Sequence, residues 1–546
     1  MRKYLMMVTM LLLAIDVSFA GPFIDTQNHW AVKDIETLYN MGIVNGTSET
    51  TFKPEGILNI ETWMTLLLRN SDYDIDELST DSWYAPYLRL AQELEIYDND
   101  LMLGAKLSRA DASILLGRLL LKENLIAIDE LQAMTLIDSF TDLDVNDEYV
   151  LAIGACLESK LLKGKGIGLF APEDHLTRAE AAVILKRLLV FRSEQSFDNE
   201  LFYALSAQSQ HAQLIDMIKE GYKPDMNFSW AAYTLVDDKL TLDFDSYNSY
   251  GFRLPQEYGA NLKEYKSLGI STSLSVFADL TLIEAVVETV DEMTALFFNR
   301  YDTKQVSDAD FTFDGLTLNF EGETSDKDLY PMLVSAFSRE AKVRGLDLKI
   351  TVGPNQISMI PDMIDQVDSV ILMFHDYDSK YLSQDMLLTD IPVTPAAPIN
   401  LVMTDMKKVI ELNLTPQQKK KLNLQINFSI VQWKMDRGIL IGNSNELGVL
   451  PYRPTYAKLD ERLLKLTDSF QDFSKYSKLS EQPYLRYIDD DGIENVIWYE
   501  DGRSVSSKIE LAHIAGYGGV SYWRVGNIPD GDWKYYLNIF ESLDDY

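Results

Sequence analysis

The sequence predicts a multidomain chain: an all-α N-terminal part of three helical repeats, then an α/β part of (β/α)8 barrel type with a hairpin inserted between barrel strands 7 and 8. Three observations predict it. One plan of helix, loop and helix recurs three times in residues 21–192, and such recurrence marks units that bury their apolar faces only against their neighbours. Beyond a short polar joint at 193–199 the period changes, and eight β-rich runs alternate with amphipathic helical stretches through residues 200–546. Eight alternations over that length match a parallel barrel whose site lies at the C-terminal ends of its strands.

In chain order, residues 1–20 read as a secretory signal peptide. Arg2 and Lys3 precede an apolar run from Tyr4 to Ile15, and Ser18-Phe19-Ala20 puts small residues at the cleavage-defining positions. That run is too short to span a bilayer, and no later segment is long and uncharged enough to stop transfer. The mature chain is therefore expected outside the cell, not membrane-spanning, at a bacterial wall surface. A net charge of −35 repels nucleic acid and anionic lipid, so neither is expected as a partner. Cys156 is the only cysteine, which excludes an internal disulfide and a Cys-rich metal site; its apolar neighbours predict a small buried side chain.

The first repeat, at about 21–70, runs Phe23-Ile24-Asp25, His29-Trp30-Ala31, an amphipathic helix, Phe52-Lys53-Pro54, and a second helix around Glu61 to Arg69. The second, at about 78–121, has Asp81-Ser82-Trp83-Tyr84-Ala85 and then Leu107-Ser108-Arg109-Ala110-Asp111 opening its last helix. The third, at about 138–192, has Phe140-Thr141-Asp142, a helix over 149–162, Phe170-Ala171-Pro172, and Leu176-Thr177-Arg178-Ala179-Glu180. Ser108 and Thr177 are N-caps, and Asp111 and Glu180 three residues later complete capping boxes. Capping does not require the arginine in between.

This arrangement resembles the S-layer homology domain, whose signature at this point is Thr-Arg-Ala-Glu and whose three copies form a trefoil with grooves for pyruvylated secondary wall polysaccharide. The resemblance implies that Arg109 and Arg178 contact the anionic ketal, as a guanidinium fork suits, and that Trp30 and Trp83 line the grooves. In the first repeat Asn59-Ile60-Glu61 replaces the signature, and Tyr149 replaces the tryptophan of the third. Read without the resemblance, the same residues are caps, core aromatics and solvated arginines.

The predicted barrel strands are Leu201–Ala207, Met226–Tyr233, Ser271–Phe277, Phe311–Phe320, Leu346–Val352, Ser369–Phe374, Leu422–Ile430 and Gly519–Val525. Tyr484–Tyr487, Asp489-Asp490-Asp491-Gly492 and Val496–Tyr499 read as the inserted hairpin with its turn. The fourth strand carries the chemistry: Phe313-Asp314-Gly315-Leu316-Thr317-Leu318-Asn319-Phe320-Glu321. Period two sends Thr317, Asn319 and Glu321 toward the barrel axis, with Glu321 last, where an enclosed carboxyl can stay protonated and donate to a glycosidic oxygen.

This run resembles the Asp-x-x-Asp-x-Asp-x-Glu signature of glycoside hydrolase family 18, the chitinases, endo-N-acetylglucosaminidases and spore or wall lysins. The resemblance implies Glu321 as general acid/base and the substrate's own acetamido oxygen as nucleophile, positioned from residue 319. Asp314 and Glu321 match the signature, whereas Thr317 and Asn319 replace its middle aspartates. An amide can hydrogen-bond the acetamido group but cannot offset oxazolinium charge as a carboxylate does.

Met373-Phe374-His375-Asp376-Tyr377 stands where the family has Met-x-Tyr-Asp, which implies substrate contacts for His375, Asp376 and Tyr377. Trp523 matches the family tryptophan that floors the sugar site, and Trp230 and Trp433 are further candidate sugar platforms. No cofactor motif is present: there is no phosphate loop after a strand and no His-Glu-x-x-His, and histidines at 29, 175, 211, 375 and 513 are too scattered for a metal site. The readings are a wall-anchored glycosidase acting beside N-acetylhexosamine in peptidoglycan or a chitin-like glycan, a silent glycan-binding protein, and a structural surface-layer component.

Overall fold

The computed structural model describes residues 22–527, excepting 72, 74, 76–81, 99, 145–148, 195–196, 204–207, 220, 222–224, 245–250, 285–289, 308–311, 379, 381, 384–394 and 468–473. The predicted signal segment 1–20, Asp81, the end of the first predicted strand and the last residues of the chain lie outside the described residues. The chain divides into two compact units, Phe19–Gln195 and Ser196–Tyr546.

The first unit is helical. Its helices are α1 (Val32–Asn40), α2 (Ile60–Arg69), α3 (Ala85–Glu93), α4 (Arg109–Lys122), α5 (Glu130–Ile137), α6 (Val150–Glu158) and α7 (Arg178–Glu194). The last helix of each repeat begins where a side-chain oxygen takes up an orphan N–H. Asn59 accepts from the Thr62 amide at 3.1 Å, Ser108 from Asp111 at 3.0 Å, and Thr177 from Glu180 at 3.2 Å. The residue just before each cap joins a cyclic set of backbone bonds. Leu58 N–H donates to Leu176, Leu176 to Leu107, and Leu107 to Leu58, so three segments far apart in sequence meet around one axis.

Beneath that ring lies one apolar core containing Trp63, Leu115, Ile153 and Leu188, with the buried Cys156, whose thiol desolvation pushes up to about 12. Gly117 sets how closely α4 meets α6, because a Cβ there would stand 1.7 Å from the Ala152 carbonyl oxygen. The Phe-x-Pro loops also have a physical reason. Asp25 accepts the amides of Phe52 and Lys53, and Asp142 those of Phe170 and Ala171, all at 2.8–2.9 Å. Lys53 and Ala171 are held at φ +57° and +59°, where a side chain is strained and a clamp is required.

The second unit carries sixteen described strands: β1 (Asp198–Tyr203), β2 (Asp225–Val236), β3 (Lys239–Asp243), β4 (Thr272–Asp279), β5 (Gly315–Glu321), β6 (Asp347–Val352), β7 (Ser369–Leu372), β8 (Leu422–Asn427), β9 (Val431–Asp436), β10 (Ile439–Ile441), β11 (Ser444–Asn445), β12 (Gly448–Val449), β13 (Ser474–Ser477), β14 (Gln482–Ile488), β15 (Glu494–Trp498) and β16 (Gly519–Trp523). β1, β2, β4, β5, β6, β7, β8 and β16 pair in parallel in that order, and β1 bonds to both β2 and β16, so the eight-stranded sheet closes on itself. Strand 6 of this set stops at Leu372, two residues before the predicted end, because the chain then turns toward the left-handed Asp376. The strand predicted to begin at Phe311 is paired only from Gly315.

Between β8 and β16 the chain builds an antiparallel sheet in the order β10-β9-β15-β14-β13. Trp433, Val496 and Trp498 form part of its apolar core. The adjoining helix α8 (Gly502–Ile514) buries Lys508 against Glu500, both about 2% exposed, at 2.7 and 2.8 Å.

Candidate active site

Inside the barrel the side chains are small and polar rather than aliphatic. Asn227, Ser229, Ser275, Thr317, Thr351, Gln425 and Ser521 are each under 4% exposed. They form cross-strand links: Thr317 Oγ1 donates to Asn227 Oδ1 at 2.5 Å, and Gln425 Nε2 to Ser521 Oγ at 3.3 Å. This polar column leads to Glu321 at the C-terminal end of β5.

Glu321 is placed by its strand and by the turn after it. Gln356 Nε2 donates to the Phe320 carbonyl at 3.0 Å, tying down the strand end. Gly322 then turns at φ +99°, where a Cβ would meet Thr281 Oγ1 at 2.6 Å. Burial pushes the Glu321 carboxyl above the usual carboxylate range; Asp376 and Asp279 add to this, while His375 and a hydrogen bond from Asn319 oppose it. The result is a half-buried carboxyl biased toward its protonated form, the state a proton donor needs.

Asn319 is buried and oriented. Thr351 Oγ1 donates to its Oδ1 at 3.0 Å, which leaves the amide N–H groups directed at Glu321. Asp314 lies elsewhere. Its carboxylate accepts the Thr272 amide at 2.8 Å and the Thr272 hydroxyl at 3.1 Å, where β4 begins. Seven residues of strand, at roughly 3.3 Å each, separate it from Glu321. The catalytic expectation for Asp314 is therefore corrected to a clamp at the opposite end of the barrel.

After β7 the chain presents His375, Asp376, Tyr377 and Asp378. His375 Nδ1 lies 2.9 Å from Asp376 Oδ2, and its Nε2 lies 2.6 Å from Gln425 Oε1. Asn427 Nδ2 donates to Asp376 Oδ1 at 3.1 Å. Desolvation lowers the basicity of His375, but Asp376 more than reverses it, so the ring is a stronger base than a free histidine. The Asp376 side chain remains 58% exposed at the mouth. Tyr377 points its hydroxyl away to Asp405, at 2.5 Å. Asp378 is buried and pairs with Arg453 at 2.6 Å; burial moves its carboxyl up to about 6.

Of the three candidate platforms, only Trp523 is less than fully buried. It is half-buried at the end of β16, with its ring edge-on to Phe252 at 6.4 Å, and Phe252 lies 5.5 Å from Phe277 on β4. Trp230 is fully buried, stacked on Phe228 at 4.4 Å and edge-on to Phe313, because it alternates with the inward Asn227 and Ser229 and so faces away from the barrel interior. Trp433 is 1% exposed in the core of the antiparallel sheet. Neither has a ring face to offer a sugar, and both expectations are corrected to packing roles.

Sequence reasoning missed Gln425, Asn427, Phe252, Phe277 and Arg453. The alternation Asn423, Gln425, Asn427 along a buried strand was the available signal for the first two.

In the helical unit Trp30 and Trp83 are 66% and 59% exposed. Arg178 is half-buried over the Phe52 ring and donates to the carbonyls of Phe52 and Asn45 at 2.8 and 3.0 Å. Arg109 is only 4% exposed and donates to Phe170 and Lys163 carbonyls at 3.1 and 2.6 Å, so its fork is spent on the neighbouring repeat rather than offered to solvent. In the first repeat the buried Glu61 reaches the Gly104 amide at 2.9 Å.

Residues 267–527 match the family model for glycosyl hydrolases family 18, and residues 22–59 and 139–182 match that of the S-layer homology domain. The chain carries S-layer homology domains and a family 18 domain. Among similar proteins, a cortical fragment-lytic enzyme of Bacillus anthracis is 35% identical over 66 residues, 12% of this chain and 15% of that protein. A cortical fragment-lytic enzyme of Bacillus subtilis (strain 168) is 24% identical over 164 residues, 29% of this chain and 32% of that protein. The chain thus covers less than a third of the length of each of these two relatives. The crystal structure of the Bacillus cereus spore cortex-lytic enzyme SleL resembles it with a TM-score of 0.47 and 17% identity, over 63% of this chain and 74% of that one. No described helix is long and apolar enough to cross a membrane.

Proposed function

We propose that the family 18 domain is a retaining glycosidase that cleaves beside N-acetylhexosamine, and that the repeats tether it to the bacterial wall. The observation that carries the reading is the half-buried Glu321 at the C-terminal barrel mouth, its carboxyl biased toward the protonated form and bonded to Asn319. Glu321 donates its proton to the glycosidic oxygen as the substrate's acetamido oxygen attacks the anomeric carbon. Asn319 holds the acetamido group, Trp523 floors the sugar, and Asp376 faces it from the mouth. Glu321 then takes a proton from the water that opens the oxazolinium, with net retention. Relatives named cortical fragment-lytic enzymes favour peptidoglycan over chitin as the glycan.

Residues 1–20 serve for export. In this reading residues 21–192 form a three-repeat trefoil that binds secondary wall polysaccharide through Arg178, Trp30 and Trp83, with Arg109 holding the loop of the adjoining repeat. Residues 193–199 are the joint to the barrel, and the antiparallel sheet before β16 is the inserted element. One observation favours a second reading, a silent glycan-binding protein: residue 319 is an amide, not a carboxylate.

Release of reducing sugar and oligosaccharides from peptidoglycan and from N-acetylglucosamine oligomers, by the full chain and by Glu321→Gln, separates the two. Turnover lost only in the variant supports the glycosidase. Binding by both without turnover establishes the silent protein.

A further inference from the structure

We propose that His375 is a positioning residue that acts as an imidazolium, clamped between Gln425 and Asp376, and that this clamp fixes Asp376 at the barrel mouth beside Glu321. The inference rests on the glycosidase reading for its kinetic consequence but not for the clamp itself. Hydrogen-bond donors are the scarce element here, because a carboxylate and an amide oxygen only accept. His375 Nδ1 lies 2.9 Å from Asp376 Oδ2 and its Nε2 lies 2.6 Å from Gln425 Oε1, so a ring satisfying both bonds carries both protons. Gln425 turns its Oε1 to the ring and its Nε2 to Ser521 Oγ, 3.3 Å away.

The rival arrangement is a neutral ring whose bare Nδ1 accepts from Asn427 Nδ2, 3.2 Å away. It would require Asp376 to be protonated, yet the Asp376 side chain is 58% exposed and receives Asn427 and His375 together. The ring itself is 7% exposed. A buried cation is costly unless paired and fully bonded, and here both conditions are met.

The clamp has a mechanical purpose. Asp376 sits at φ +58°, in the left-handed region that non-glycine residues seldom adopt. Its carboxylate is held from β8 by Asn427 and from its own neighbour by His375. The charged groups facing this cluster are Glu321 on β5, which Asp279 on β4 also faces, and Arg453 with Asp378. The clamp is sensitive to pH in one direction. A ring whose basicity is raised keeps both bonds below its own titration point and loses one as pH rises through it, so the bridge from Gln425 through the ring to Asp376 is broken on the alkaline side.

The test uses the full chain labelled with 15N-histidine, where only five histidines contribute and His375→Gln assigns the signal. At a pH near the ordinary histidine value of roughly 6.5, magic-angle-spinning NMR should find both His375 nitrogens protonated, and one bare in Asp376→Asn. A bare nitrogen in the unsubstituted protein, or an unchanged ring in Asp376→Asn, overturns the clamp. For the kinetic part, His375→Gln should lower kcat/KM about 10- to 100-fold and flatten the alkaline limb, with the unfolding midpoint unchanged. An unaltered limb overturns the positioning role. If the unsubstituted protein turns over no glycan, the glycosidase reading fails while the NMR result still decides the clamp.

Discussion

Asn319→Asp is the substitution that bears most directly on how this site works. Asn319 is 2% exposed, its carbonyl oxygen is fixed by Thr351, and its amide faces Glu321. Aspartate keeps the shape and the Thr351 bond but replaces an amide donor with a second carboxyl beside Glu321. Two carboxylates about 4 Å apart repel by about 4 kcal/mol at an effective dielectric of about 20, more than enough to keep one proton on the pair. The pair would therefore hold its acidic proton to higher pH, and the alkaline limb should move upward. Once that proton passes to the leaving group, residue 319 can carry the negative charge that offsets the oxazolinium. Removing a single preorganised electrostatic contact costs other enzymes about 2.7–4 kcal/mol. Half of that, regained here, is about a 10- to 30-fold rise in turnover. The assay is initial-rate hydrolysis of N-acetylglucosamine oligomers and of peptidoglycan across a pH series. A variant no faster than the parent, or a limb that moves down, refutes the claim that the missing carboxylate limits this site.

The same geometry sets other outcomes. Glu321→Gln should reduce turnover by about 10²–10⁴ with glycan binding intact, checked by product release alongside calorimetric titration. Lys508→Met strands the buried Glu500 carboxyl and should cost about 3–5 kcal/mol in urea unfolding, with most of that regained on adding Glu500→Gln. Gly117→Ala drives a methyl into the Ala152 carbonyl and should cost the helical unit about 3 kcal/mol, read by thermal unfolding of the full chain as a shift in that unit's transition. Trp523→Ala should raise KM more than it lowers kcat, whereas Trp433→Ala should act through stability alone, costing about 3–5 kcal/mol.

Period and local chemistry determined a good part of this protein. The caps at Ser108 and Thr177, the eight strand runs and the place of Glu321 at the end of its strand all depend on neighbours within a few residues, so the local order of the chain contains them. Asp314 and Glu321 show the limit of that information. Both matched one motif, yet one strand carries them to opposite ends of the barrel, and only the fold shows Asp314 spent on the Thr272 amide and hydroxyl where β4 begins. Trp230 was a candidate sugar platform as an aromatic on a barrel strand, and its packing against Phe228 and Phe313 placed it in the core. The arginines of the repeats were legible as arginines, but their burial depends on carbonyls of the neighbouring repeat, roughly fifty to over a hundred residues distant. His375 gained its second proton partner only when β8 brought Gln425 beside it. Repeats and alternation were thus settled by the amino-acid order alone; burial, charge state and reach at the mouth were decided by contacts between strands whose distance along the chain carries no local signal.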